Sequence, residues 1–109
     1  MFSNKKKSNL IKEVILKPTY NGTGLFNKKG EAINYEDLNI SEKTIKKIED
    51  WIGWFWDTFY DSEDFDHLSF YDKGVNLALK IKSELGSEIK VFYDDREVYI
   101  DDSGNVTIE

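Results

Sequence analysis

Residues 66–108, DHLSFYDKGVNLALKIKSELGSEIKVFYDDREVYIDDSGNVTI, change their hydrophobic period part-way along, and that change decides the fold. From His67 to Leu85 the apolar residues recur at helical spacing. Leu68, Phe70, Tyr71, Val75, Leu77, Ala78, Leu79, Ile81 and Leu85 form a wide arc, and Ser69, Asp72, Lys73, Asn76, Lys80 and Ser83 form a wet side. Asp66 suits the N-cap, and Gly86 suits the position that ends the helix. Gly74 falls inside the apolar arc. An interior glycine costs about 1 kcal/mol against alanine, so its presence implies close approach of another backbone. Beyond Gly86 the period drops to two. Ile89, Val91 and Tyr93 alternate with Lys90 and Phe92, Glu97–Asp101 places Val98 and Ile100 together, and Asp102-Ser103-Gly104 turns into Val106 and Ile108. This pattern predicts a three-stranded meander joined by tight turns.

Working back from this segment, a second helical pattern begins at Ser41, a good N-cap, with Ile40 placed to staple onto Ile45. At 100° per residue, Ile45, Ile48, Ile52, Phe55, Trp56 and Phe59 share one face, with Trp51 on its flank and Trp54 opposite its centre. Further upstream, residues 10–17, LIKEVILK, predict a strand ended by Pro18, and LFNKKGEAI predicts a short hairpin around Asn27-Lys28-Lys29-Gly30. The order is strand and hairpin, two helices, then three strands. It predicts an α+β fold with two antiparallel helices packed on one face of a mainly antiparallel sheet.

A chain of 109 residues is read as one domain, 1–109, with residues 1–9 as a flexible basic N-terminus. An aromatic content of 15% lets few residues fill a core. With no cysteine there is neither a disulfide nor a thiolate metal site, and a reducing cytoplasm is the simplest setting. The apolar run Val14–Leu16 is too short for a signal-peptide core or a membrane span. Charge is uneven. Residues 1–30 hold seven lysines against Glu13 alone, a balance of +6, which leaves −12 on the remainder of a chain whose net charge is −6. Such a body repels nucleic acid and anionic lipid and attracts a basic protein.

Residues 51–66, WIGWFWDTFYDSEDFD, set three tryptophans, three phenylalanines and a tyrosine among five acids. Large rings beside carboxylates suit the gripping of a basic partner. The competing reading is that the rings are core and the acids a solvated loop. Catalysis has less support. His67 is the only histidine, and it sits where a first-turn helical histidine would bond locally. The acids of this stretch contain no glycine-centred calcium loop, and Asn21-Gly22-Thr23-Gly24 lacks the lysine and the following helix of a phosphate cradle. No catalytic residue, metal or cofactor is assigned.

Part of the chain, roughly residues 24–93, resembles small bacterial immunity proteins of contact-dependent growth inhibition and polymorphic toxin systems. The resemblance is carried by GLFNKKGEAI, the lead-in Asp37-Leu38-Asn39-Ile40-Ser41, and the helix bearing Ile45, Ile48 and Trp51. It continues through Phe70, Gly74, Leu77-Ala78, Ile81 and Glu84-Leu85-Gly86 to the strand Val91-Phe92-Tyr93. It implies a cytoplasmic protein that binds and neutralises a cognate toxin C-terminal domain, with no catalytic residues to carry over. On that reading the toxin is a basic protein such as an RNase or DNase. Trp54 and Tyr60 would be apolar anchors, and Asp57, Asp61, Glu63, Asp64 and Asp66 the charge complement. The alternatives are a non-inhibitory acidic binding module and, behind it, a small hydrolase using acids near His67. A homo-oligomer is compatible with either binding role.

Overall fold

A computed structural model describes residues 11–18, 22–58 and 66–109, with side chains in the middle span given as far as Phe55. Strands β1 (Glu13–Leu16) and β2 (Leu25–Phe26) come first. Helices α1 (Glu42–Thr58) and α2 (His67–Leu85) follow, and then strands β3 (Lys90–Tyr93), β4 (Arg96–Ile100) and β5 (Val106–Ile108). A short 3-10 turn, Tyr35–Asp37, leads into α1. The five strands form one sheet in the order β2-β1-β3-β4-β5. All neighbouring pairs are antiparallel except β1 and β3, which run parallel with Val14 opposite Val91 and Leu16 opposite Tyr93. The result is an α+β fold with two helices on an open, mostly antiparallel sheet. The parallel pair at its centre is the detail that chain order did not reveal.

Burial alternates along the strands as the pleat requires. Val14, Leu16, Leu25, Val91, Tyr93 and Val98 face the helices and are buried. From α1 the core takes Ile48, Trp51 and Ile52, and from α2 it takes Phe70, Leu77, Ala78 and Ile81. Trp51 lies at the centre of the helical contact, not on its flank. Its ring stacks on Phe70 with centroids 4.6 Å apart, and its Nε1–H donates to the Phe70 carbonyl at 3.0 Å. The neighbour drawn close by Gly74 is a pair of rings, not a backbone. A Cβ at Gly74 would lie 2.5 Å from Tyr93 Cε1 and 2.8 Å from Trp51 Cζ2. Leu68, assigned to the apolar arc by period, is 78% exposed, because the first turn of α2 runs past the end of the core. Ile100 is likewise exposed, at the far end of β4.

Local chemistry explains the element boundaries. Asp66 caps α2 through its side chain, and Gly86 ends that helix at φ 84° while its N–H bonds the Lys82 carbonyl. The hairpin between β2 and Ala32 closes on the Asn27 side chain, whose Oδ1 accepts from the N–H groups of Lys29 and Glu31. Asp101 does the same for Ser103 and Asn105 before β5. Ser41 Oγ accepts from Thr44 N at 3.2 Å and so caps α1.

Candidate partner-binding surface

Of the residues singled out from the sequence for partner binding, Trp54 and Asp66 have described side chains. Trp54, in the last turns of α1, is half-buried and meets Phe70 of α2 edge-on, with centroids 5.3 Å apart. It also lines an open groove of about 510 Å³ between the outer surfaces of α1 and α2. Lys47, Lys73 and Lys80 rim this groove, with Asp50 as the lone carboxylate among the described residues. Trp54 is therefore anchored on α2 and bordered by lysines on its helical side.

Asp66 stands at the α2 N-terminus. Its carboxylate accepts from the Ser69 main-chain N–H at 3.0 Å and from the Ser69 hydroxyl at 2.7 Å. These bonds, the main-chain one foremost, hold its carboxyl below the usual aspartate range, so it stays ionised. Its first role is thus the cap. The Asp57 side chain and residues Tyr60, Asp61, Glu63 and Asp64 lie outside the described residues. His67 opens α2 in an exposed position. Among the described residues, no group of three or more His, Asp or Glu could hold a metal ion.

Tyr71 of α2 meets Tyr93 edge-on at 5.2 Å, and the Arg96 guanidinium lies 5.8 Å over the Tyr71 ring. Arg96 Nε also donates to the Glu109 carbonyl. This chain of contacts joins the start of α2 to the end of β5. Asp94, Asp95 and Glu97 are neighbours of Arg96 in sequence, so further carboxylates stand close to this chain of contacts. Arg96 is the protein's single arginine, and its cation is engaged by the ring and by the Glu109 carbonyl. A larger open groove of about 930 Å³ lies between β1, the 27–34 turn and β3. It mixes Lys12, Lys28 and Lys90 with Glu13, Glu31 and Glu88, so it offers no surface of a single sign.

A family model, Serratia CdiI immunity protein-like, matches residues 12–96, well over half of the chain. The chain belongs to this immunity protein family. The match runs from the start of β1 to the first residue of β4, so it includes the β1–β3 pairing and both helices. No curated protein and no solved structure matched. No helix among the described residues is long and apolar enough to cross a membrane.

The sequence pattern missed two polar residues that organise the helices. Glu84, read only as part of a resemblance motif, accepts from Ser41 N at 2.7 Å, from Thr44 Oγ1 at 2.6 Å and from Ser41 Oγ at 3.2 Å. Lys82, 5% exposed, donates from Nζ to the Ile89 carbonyl at 2.7 Å, and burial lowers its pKa against the raising effect of Glu97. Neither residue stands out by type or spacing, because each partner is supplied by another element.

Proposed function

We propose that this protein binds the cognate toxin domain of a contact-dependent growth inhibition system in the cytoplasm and neutralises it without performing a reaction of its own. Membership of the immunity family over residues 12–96 carries this reading. The toxin is a basic protein, a nuclease with a cationic cleft, and the acidic balance of this chain steers the two together. Trp54 and Tyr60 act as apolar anchors. Asp57, Asp61, Glu63, Asp64 and Asp66 supply the opposing charge. The lysines beside Trp54 border this contact and mark where the acidic surface stops.

The test is to purify the protein with the product of the gene immediately upstream and assay that product's toxicity with and without it. Tight binding that abolishes toxicity supports the reading. No binding, together with an upstream product that is harmless, favours an acidic regulatory module instead. For the site, Trp54→Ala combined with Asp61→Ala and Asp64→Ala should weaken the complex at least tenfold. Unchanged affinity would remove these residues from the interface.

A further inference from the structure

The two edges of the sheet are treated differently. At one edge, β2 is only two residues long, its outer side is taken by the bridge from Phe26 to Ala32, and Lys28 and Lys29 follow it. These are ordinary devices for blunting an edge strand. At the other edge, β5 reads Val106-Thr107-Ile108, three β-branched residues with no lysine and no proline. Its ladder with β4 is defined by Asp101 N donating to Asn105 O and Glu109 N donating to Glu97 O, with Thr107 opposite Tyr99. Hydrogen-bonded pairs alternate along an antiparallel ladder, so Asn105, Thr107 and Glu109 point their main chain at β4. The N–H and C=O groups of Val106 and Ile108 therefore point outward, and no described residue pairs with them.

The surroundings of this edge specify an occupant. Val106 and Ile108 are half-buried on the helix side, where α2 packs over β5 with Val75 and Leu79 also half-buried. On the adjoining strand, Tyr99 and Ile100 are 39% and 38% exposed. Carboxylates stand at both ends of the edge, Asp101 and Asp102 at its start and Glu97 and Glu109 at its finish. The finish is linked to α2 through Glu109, Arg96 and Tyr71.

We infer that β5 is a docking edge on which an extended segment of the toxin domain adds as a sixth strand, its side chains alternating between apolar and basic. This rests on the immunity reading and names the part of the protein that does the holding. The incoming strand bonds the outward groups of Val106 and Ile108. Its apolar side chains continue the layer beneath α2, and its lysines or arginines meet the flanking carboxylates.

The test is amide hydrogen exchange of the whole chain, free and mixed with the upstream gene product, together with the affinity of Val106→Pro. Proline at this position removes an outward N–H and leaves the ladder to β4 intact. The expected result is at least tenfold slower exchange at the Val106 and Ile108 amides in the complex, and at least tenfold weaker binding by Val106→Pro. A tight complex in which both amides exchange as in the free protein overturns the edge assignment and leaves the immunity reading standing. Absence of any complex with the wild-type chain overturns both. Protection that appears without the toxin and grows with protein concentration shows that a second copy occupies the edge, which also overturns the assignment. The exchange measurement needs no variant, so it decides the matter even if Val106→Pro fails to fold.

Discussion

Thr44 Oγ1 donates to Glu84 Oε2 at 2.6 Å, joining the first turn of α1 to the last turn of α2 across forty residues of sequence. Thr44 is fully buried, and the same carboxylate accepts from the main-chain N–H of Ser41, the α1 N-cap. In a capping box, the glutamate that reaches back to the N-cap N–H stands three residues into the same helix. Here Thr44 holds that position and α2 supplies the glutamate. One carboxylate therefore both caps α1 and sets how the two helices lie against each other.

Glu84→Gln should destabilise the fold by about 1–3 kcal/mol, because buried Thr44 and the α1 N-cap lose a charged acceptor. Burial opposes the Glu84 charge, yet the hydrogen bonds from Thr44 and Ser41, with Lys80 nearby, bring its pKa below the usual 4.5. A carboxyl depressed in the folded state contributes stability that is present above the unfolded value and lost as pH falls through the folded one. Urea midpoints should thus fall as pH drops below about 4.5, and less steeply in Glu84→Gln than in the wild type. Identical pH profiles for the two proteins would refute the assignment.

Gly74 and Gly53 should respond to alanine in opposite ways. Alanine favours a helix by about 1 kcal/mol at an unstrained interior site. A Cβ at Gly53 meets nothing within 4 Å, so Gly53→Ala should stabilise by about that amount. At Gly74 the Cβ would press on Tyr93 and Trp51, both buried, so Gly74→Ala should lose about 1–3 kcal/mol despite the helix preference. Thermal denaturation of both variants checks the contrast, and a stabilised Gly74→Ala would show that the rings can yield.

Tyr35 should titrate above the ordinary tyrosine value. Its hydroxyl donates to the Thr23 carbonyl at 2.6 Å, and burial, with a contribution from Glu49, pushes its pKa up to about 12. A group raised in the folded state contributes stability that is complete below its unfolded pKa of 10 and lost as pH rises through the folded value. Absorbance of the phenolate should therefore show a late component near pH 12 that Tyr35→Phe diminishes, Tyr93 being raised by burial as well. In the same window, the variant should lose less stability than the wild type.

Much of the fold was legible because its determinants are local. Asp66 and Gly86 bound α2 as their capping preferences require, and Asn27 and Asp101 close their turns with their own side chains. The placement of Trp51 and Leu68 was not legible. Angle on a helical wheel says which residues share a face, and it does not say where the neighbouring element begins or ends. Trp51 is buried because Gly74 on α2 leaves room for its ring. Leu68 is exposed because nothing among the described residues covers the first turn of α2. The candidate site was legible as composition. Its arrangement was not, since the lysines around Trp54 come from α1 and α2 together.

The sequence by itself determined the element order, the caps, the turns, the two-layer α+β class and the acidic character that fits a basic protein partner. Each of these follows from residues within a turn or two of one another, or from totals. Only the tertiary structure decided the parallel pairing of β1 with β3, the supply of the α1 cap by Glu84, and the union of Tyr71, Arg96 and Glu109. It alone decided that β2 carries the bridge to Ala32 while no described residue pairs with the outer side of β5. These depend on which distant segments meet, and a period of 2 or 3.6 residues states what each segment must bury without stating against which partner.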